Sequence, residues 1–129
     1  MKVLGFEGDL VLVYKKGAKW RVYEPLVCHY DMGDGKETLI VPSDFVTDLA
    51  SIPRIFTWLV PRVGEWNKPA VVHDWIYAHK GEMPSGKVFS RREADLLFWS
   101  ALRERRVRRT RAFLMFAAVT LGGWIVWRK

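Results

Sequence analysis

Four side chains have the types and spacing to do chemistry together. His73, Asp74 and Tyr77 stand in "AVVHDWIYAHK" (70–80), and Asp95 in "SRREADLLFWSALRER" (90–105). His73 and Asp74 interrupt an apolar run that holds Val71, Val72, Trp75 and Ile76. Inside such a run an imidazole or a carboxylate is expensive unless it meets a hydrogen-bonding or charged partner. At helical spacing His73 and Tyr77 share one face, while Asp74 points about 100° away, toward a different neighbour. Asp95 lies beside the stripe Ala94, Leu97, Phe98, Ala101 and Leu102 of the next helix. Two antiparallel helices can therefore present Asp95 to one nitrogen of His73 and leave the other free. An imidazole held in this way is an oriented general base. The carboxylate fixes its tautomer and stabilises the imidazolium, and the free nitrogen activates water. Asp74 is then available to hold an arginine or a cation at the same opening, where a cation would act as a Lewis acid. The same spacing also describes a buried polar clamp that only fixes helix packing.

The loop "VPSDFVTDLASIPR" (41–54) brings Asp44, Asp48, Ser51 and Arg54 into the same region of sequence. Asp48 reads either as the N-cap of a short turn or, with Arg54, as an addition to the His73 cluster. Ser51 lacks the glycine elbow of a nucleophilic serine. His29 and His79 have no carboxylate pattern of their own and read as strand or surface residues.

The elements that must position these residues follow from local pattern. "DLVLVY" (9–14), "WRVYEPLVCHY" (20–30) and "ETLIVP" (37–42) read as strands. Pro25 demotes the middle of the second to an edge or a break, and "KKGAK" and "DMGDG" are turns. Turns this short predict a small antiparallel meander. Pro42, Pro53, Pro61 and Pro69 then punctuate a loop. A first helix is expected over roughly 68–79, with Asn67 as N-cap. A second opens on a capping box of Ser90 and Glu93 and runs to about Arg105, and a third spans roughly 109–127. The expected fold is α+β: an N-terminal antiparallel meander (1–47), a Pro-rich loop (48–67) and three packed helices (68–127) in one domain.

Composition supports a packed globular chain of 129 residues, half of them hydrophobic, with seven Trp and seven Phe. The lone Cys28 excludes an internal disulfide and a cysteine-based zinc cluster. No signal peptide is expected, since the first twelve residues carry Glu7 and Asp9 and lack a long apolar stretch. The formal charge of +7 gathers in Arg103, Arg105, Arg106, Arg108, Arg109 and Arg111. That band suits a local contact with phospholipid or another anionic surface, and nucleic acid stays open as a partner. No aromatic interleaving supports a single-strand groove. After it, "AFLMFAAVTLGGWIVW" (112–127) is sixteen residues without a charge. It reaches about 24 Å, short of the ~30 Å hydrocarbon core, so a packed core helix is expected ahead of a transmembrane anchor.

Taken together, "VPSDFVTDLASIPR", "AVVHDWIY", "SRREADLLF" and "FAAVTLGGWIVW" resemble domain-of-unknown-function family 1353 of tailed phages and prophages, over roughly residues 38–127. The family pattern is a Pro-x-Gly-Phe approach to a Thr-Asp-Leu-Ala-Ser loop, a His-Asp-x-x-Tyr helix and an Arg-x-x-Asp helix. The last two match His73 to Tyr77 and Arg92 to Asp95, whereas Asp44 stands where the family usually has glycine. The resemblance implies a phage origin and a location in the host cytoplasm during infection or on the virion. "HDWIY" and "EADLLF" are also similar to the two-helix core of calcium-dependent secreted phospholipases. That likeness implies His73 as base, Asp95 and Tyr77 as its orienters, and Asp74 as a calcium ligand. The Gly-rich calcium loop of those enzymes has no counterpart in "PRIFTWLVPRVGEW", which holds only Gly64. Two function classes follow: a phage hydrolase acting on a phospholipid ester, and a non-catalytic tail, capsid or accessory protein in which His73, Asp74 and Asp95 staple the fold and phage structural proteins are the partners.

Overall fold

The computed structural model of the chain describes residues 1–14, 20–47 and 66–128. Six strands precede three helices: β1 (Lys2–Glu7), β2 (Leu12–Tyr14), β3 (Trp20–Val22), β4 (Leu26–Asp31), β5 (Lys36–Val41), β6 (Val46–Thr47), α1 (Asn67–Ala78), α2 (Arg91–Glu104) and α3 (Arg109–Arg128). The α+β class expected from the sequence is the class observed. Most of the stretch read as a Pro-rich loop, with Asp48, Ser51 and Arg54, falls outside the described residues.

The strands are antiparallel but do not form a simple meander. They make two three-stranded sheets, in the orders β1-β4-β5 and β2-β3-β6. Pro25 is the divider: lacking an N–H, it breaks the run between β3 and β4, and the two halves join different sheets. β4 alternates strictly, with Leu26, Cys28 and Tyr30 buried and Val27, His29 and Asp31 half-buried. β1 was not apparent from the sequence, because Gly5 interrupts its pattern where a register irregularity falls between Val3 and Gly5. β6 is two residues long, too short to carry a pattern.

At Asp44 the backbone is left-handed, φ 73°. Glycine adopts that conformation without strain, and Asp tolerates it better than most residues. Here the Asp44 N–H donates to the Val22 carbonyl and its carboxylate pairs with Arg21, so the turn keeps its shape with a charged residue in it.

α2 is the centre of the molecule, packing against α1, α3 and β1. Its stripe Ala94, Leu97, Phe98, Ala101 and Leu102 is fully buried. Its start carries the expected capping box: the Ser90 hydroxyl accepts from the Glu93 N–H at 3.1 Å, and the Glu93 carboxylate accepts from the Ser90 N–H at 2.9 Å. α1 begins one residue earlier than expected. Trp66 is its N-cap, Asn67 is already helical, and no side chain caps the turn. Both α1 and α2 end in the same motif. The N–H of Gly81 reaches back to the Ile76 carbonyl and that of Lys80 to Tyr77; Val107 and Arg106 repeat this with Leu102 and Arg103. The left-handed position falls on Lys80 and Arg106 rather than on glycine.

The sheet buries two groups that ionise in alkali. Burial, and secondarily the charge of Glu104, pushes the Cys28 thiol up to about 12, and burial with Glu37 pushes the Tyr30 phenol up to about 12. Both are neutral in the fold, and an unfolded thiol releases its proton near 9. Stability from the thiol is thus complete below about pH 9 and is lost as pH rises toward 12. Thermal melts across this range should fall steadily, and Cys28→Ala should flatten part of that fall. Rapid reaction of native Cys28 with a thiol reagent at neutral pH would contradict this burial.

Candidate active site

Asp95 gathers donors from both neighbouring helices. Its Oδ1 accepts from the Tyr77 hydroxyl at 2.6 Å and lies 2.9 Å from His73 Nε2, while Oδ2 accepts from the Thr120 hydroxyl at 3.3 Å. His73 and Tyr77 come from one face of α1, and Thr120 from α3. His73 and Asp95 are each only 3% exposed, so these bonds operate with little competition from water. A carboxylate can only accept, so the Nε2 facing it carries the proton. The His73 ring is held between Tyr77, with centroids 4.2 Å apart, and Phe98, at 4.8 Å. The remaining nitrogen, Nδ1, points away from Asp95 and is itself buried.

Tyr77 is the fixed donor of the group. Burial, then the hydrogen bond to Asp95 and the Asp95 charge, pushes its phenol well above the usual tyrosine value, with Arg91 acting in the opposite sense. The phenol therefore stays protonated, and its O–H points at Oδ1. A glycine makes this possible. A β-carbon at Gly123 would sit 2.6 Å from the Tyr77 oxygen and 2.9 Å from its ring, whereas one at Gly122 would meet nothing within 4 Å.

Asp74 faces elsewhere, as its helical offset requires. Half-buried, it accepts a hydrogen bond from the hydroxyl of Thr47 on β6, which ties α1 to the second sheet. Among the described residues no group of three or more His, Cys, Asp or Glu is placed to hold a metal ion. Calcium takes six to eight oxygen ligands. Asp74 and Thr47 contribute only part of such a shell.

Arg92, expected near the cluster, is exposed. Half-buried Arg91, beside it, donates to the Thr120 carbonyl. Both line a cleft of about 370 Å³ between α2 and α3, with Asp95, Leu96, Phe116 and Thr120. A smaller cleft of about 160 Å³ lies among Tyr30, Leu39, Ile40, Trp75, Met83 and neighbours. Of these two clefts, neither has His73 in its lining. Asp48 and Arg54 lie outside the described residues.

The sequence brings out His73, Tyr77 and Asp95 but passes over Thr47, Thr120, Arg91 and Gly123. Thr120 is the one hydroxyl in the uncharged run 112–127, and Gly122-Gly123 in the same run is a visible signal of close approach with no partner attached to it.

A family model described as "Protein of unknown function (DUF1353)" matches residues 20–119. No curated protein and no solved structure matches the chain.

The two adjacent glycines make a paired test. Gly122→Ala should raise stability by up to about 1 kcal/mol through helix propensity. Gly123→Ala should lower it by about 1–3 kcal/mol, because the added methyl displaces a rigid, hydrogen-bonded ring. Chemical denaturation of both variants checks this, and equal effects would contradict the placement of Tyr77.

Proposed function

The chain belongs to the DUF1353 family, and we propose that its polar centre is a hydrolase site for phospholipid esters in which His73 is the general base. The observation that carries this is the double engagement of Asp95 Oδ1 by His73 Nε2 and Tyr77. It locks the imidazole in the tautomer whose Nδ1 can take a proton, and it places a carboxylate where imidazolium charge develops. Nδ1 removes a proton from water as the water oxygen bonds to the ester carbonyl carbon, and the carbonyl electron pair moves onto its oxygen. The tetrahedral intermediate then collapses, the bond to the alkoxide breaks, and the proton passes from His73 to that alkoxide. Nδ1 is buried, so this reaction requires that water and ester reach it. Asp74 is the residue that would give a carboxylate to calcium, which when bound supplies Lewis-acid polarisation of the carbonyl. The described residues do not complete its shell, and no step above passes through it.

The sequence resemblance supports a tailed-phage or prophage setting, in the host cytoplasm during infection or on the virion. A second reading has its own observation. Exposure of only 3% at both His73 and Asp95 also suits a non-catalytic virion or accessory protein stapled by a buried ion pair.

Fatty-acid release from anionic phospholipid vesicles, with calcium or with chelator, separates the two. Wild type should release fatty acid, and His73→Ala should lose about 10²–10⁴-fold in rate while remaining folded. No release by wild type, with calcium or with chelator, would make the centre a staple; the loss of about 3–5 kcal/mol expected in His73→Ala belongs to both readings.

A further inference from the structure

α3 is apolar on nearly all sides, yet among the described residues only one side of it is buried. Ala112, Met115, Val119 and Gly123 are buried. On the opposite side Phe113, Leu114, Ala117 and Leu121 form a stripe at helical spacing, with Phe113 58% and Leu121 77% exposed. A helix apolar all round belongs where every side is covered, so this stripe calls for an occupant.

Charge says which. α3 contains no acidic residue. Arg109 and Arg111 are exposed and, at 100° per residue, fall about 100° to either side of the stripe. Arg103, Arg106 and Arg108, also exposed, gather at the same end. Farther along, Phe116 and Thr120 border the stripe and line the cleft whose other wall carries Arg91 and Arg92. Cations thus accompany the apolar stripe over most of its length. A second copy seated on it would bring like charges together with no carboxylate on either α3. A polyanion without an apolar part would leave Phe113 and Leu121 uncovered. A surface of anionic phospholipid satisfies both features, since acyl chains receive the stripe and phosphates receive the guanidinium groups.

We propose that α3 lies on an anionic bilayer by the stripe Phe113, Leu114, Ala117 and Leu121, with Arg109 and Arg111 on its phosphates. It lies on the bilayer and does not span it: among the described residues no helix is long and apolar enough to cross a membrane, and one side of α3 is already committed to the core. The proposal does not depend on hydrolysis, because a surface can be bound without being cleaved.

The test is co-sedimentation of the full chain with phosphatidylglycerol-containing vesicles and with vesicles of phosphatidylcholine alone. The expected result is salt-sensitive binding to the former only. Arg109→Gln and Arg111→Gln should each weaken it about fivefold, and Leu121→Asp at least about tenfold. All three positions are exposed, and unchanged circular dichroism and melting verify the fold. No binding by wild type, or equal binding by Leu121→Asp, would overturn the proposal. So would a wild-type dimer in sedimentation velocity that Leu121→Asp converts to monomer, which would make a second copy the occupant. Hydrolysis of a soluble short-chain ester keeps the two failures apart: it persists if only the surface reading is wrong and is absent if only the hydrolase reading is wrong.

Discussion

One carboxylate sets the mutual position of the three helices. Asp95 on α2 is almost wholly buried, and its hydrogen bonds come from His73 and Tyr77 on α1 and Thr120 on α3. Removing one partner from a buried charged pair typically costs about 3–5 kcal/mol, a large fraction of the 5–15 kcal/mol that holds a domain together. The helices can therefore slide or rotate only as far as these bonds allow. Gly123 shows that constraint from the far side, since α3 comes so close to Tyr77 that a methyl group does not fit. Around this centre the contacts are apolar and non-directional, with Phe98, Leu97 and Leu102 filling space without choosing a register.

The sheets are attached to this helical unit at particular points. The Thr47 hydroxyl bonds to Asp74, the residue next to His73, and the Val3 N–H bonds to Ser100 on α2 at 2.8 Å. The first links the second sheet to the helix that carries the imidazole, and the other links the first sheet to the helix that carries Asp95. Among the described residues, α3 packs chiefly on α2 and α1 and leaves Phe113 and Leu121 exposed.

Much of this was legible in the sequence because helices write their packing into local spacing. His73 and Tyr77 four apart, Asp95 beside a stripe at helical period, and Ser90 with Glu93 each specify a geometry that few residues can override. The strands were harder. β1 carries a glycine in its middle, β6 is two residues long, and the pairings β1-β4 and β3-β6 join segments far apart in the chain. Local pattern cannot reveal such pairings, which is why a meander was expected. Asn67 was a reasonable cap by residue type, but the helix took it in as its first turn behind Trp66. Thr120 and Gly123 depend on which side of α3 meets α1 and α2, and a helix apolar all round does not declare a side. Asp44 is the reverse case: the departure from glycine was visible at once, and the left-handed backbone with its Arg21 partner explains how it is accommodated.

The ¹⁵N chemical shifts of the His73 ring test the central claim most directly. If Asp95 orients the imidazole, neutral His73 holds its proton on Nε2, Nδ1 shows the shift of an unprotonated ring nitrogen, and Asp95→Asn disturbs that preference. A proton found on Nδ1 in the wild-type protein would contradict the account, because the nitrogen assigned to take a proton from water would already carry one.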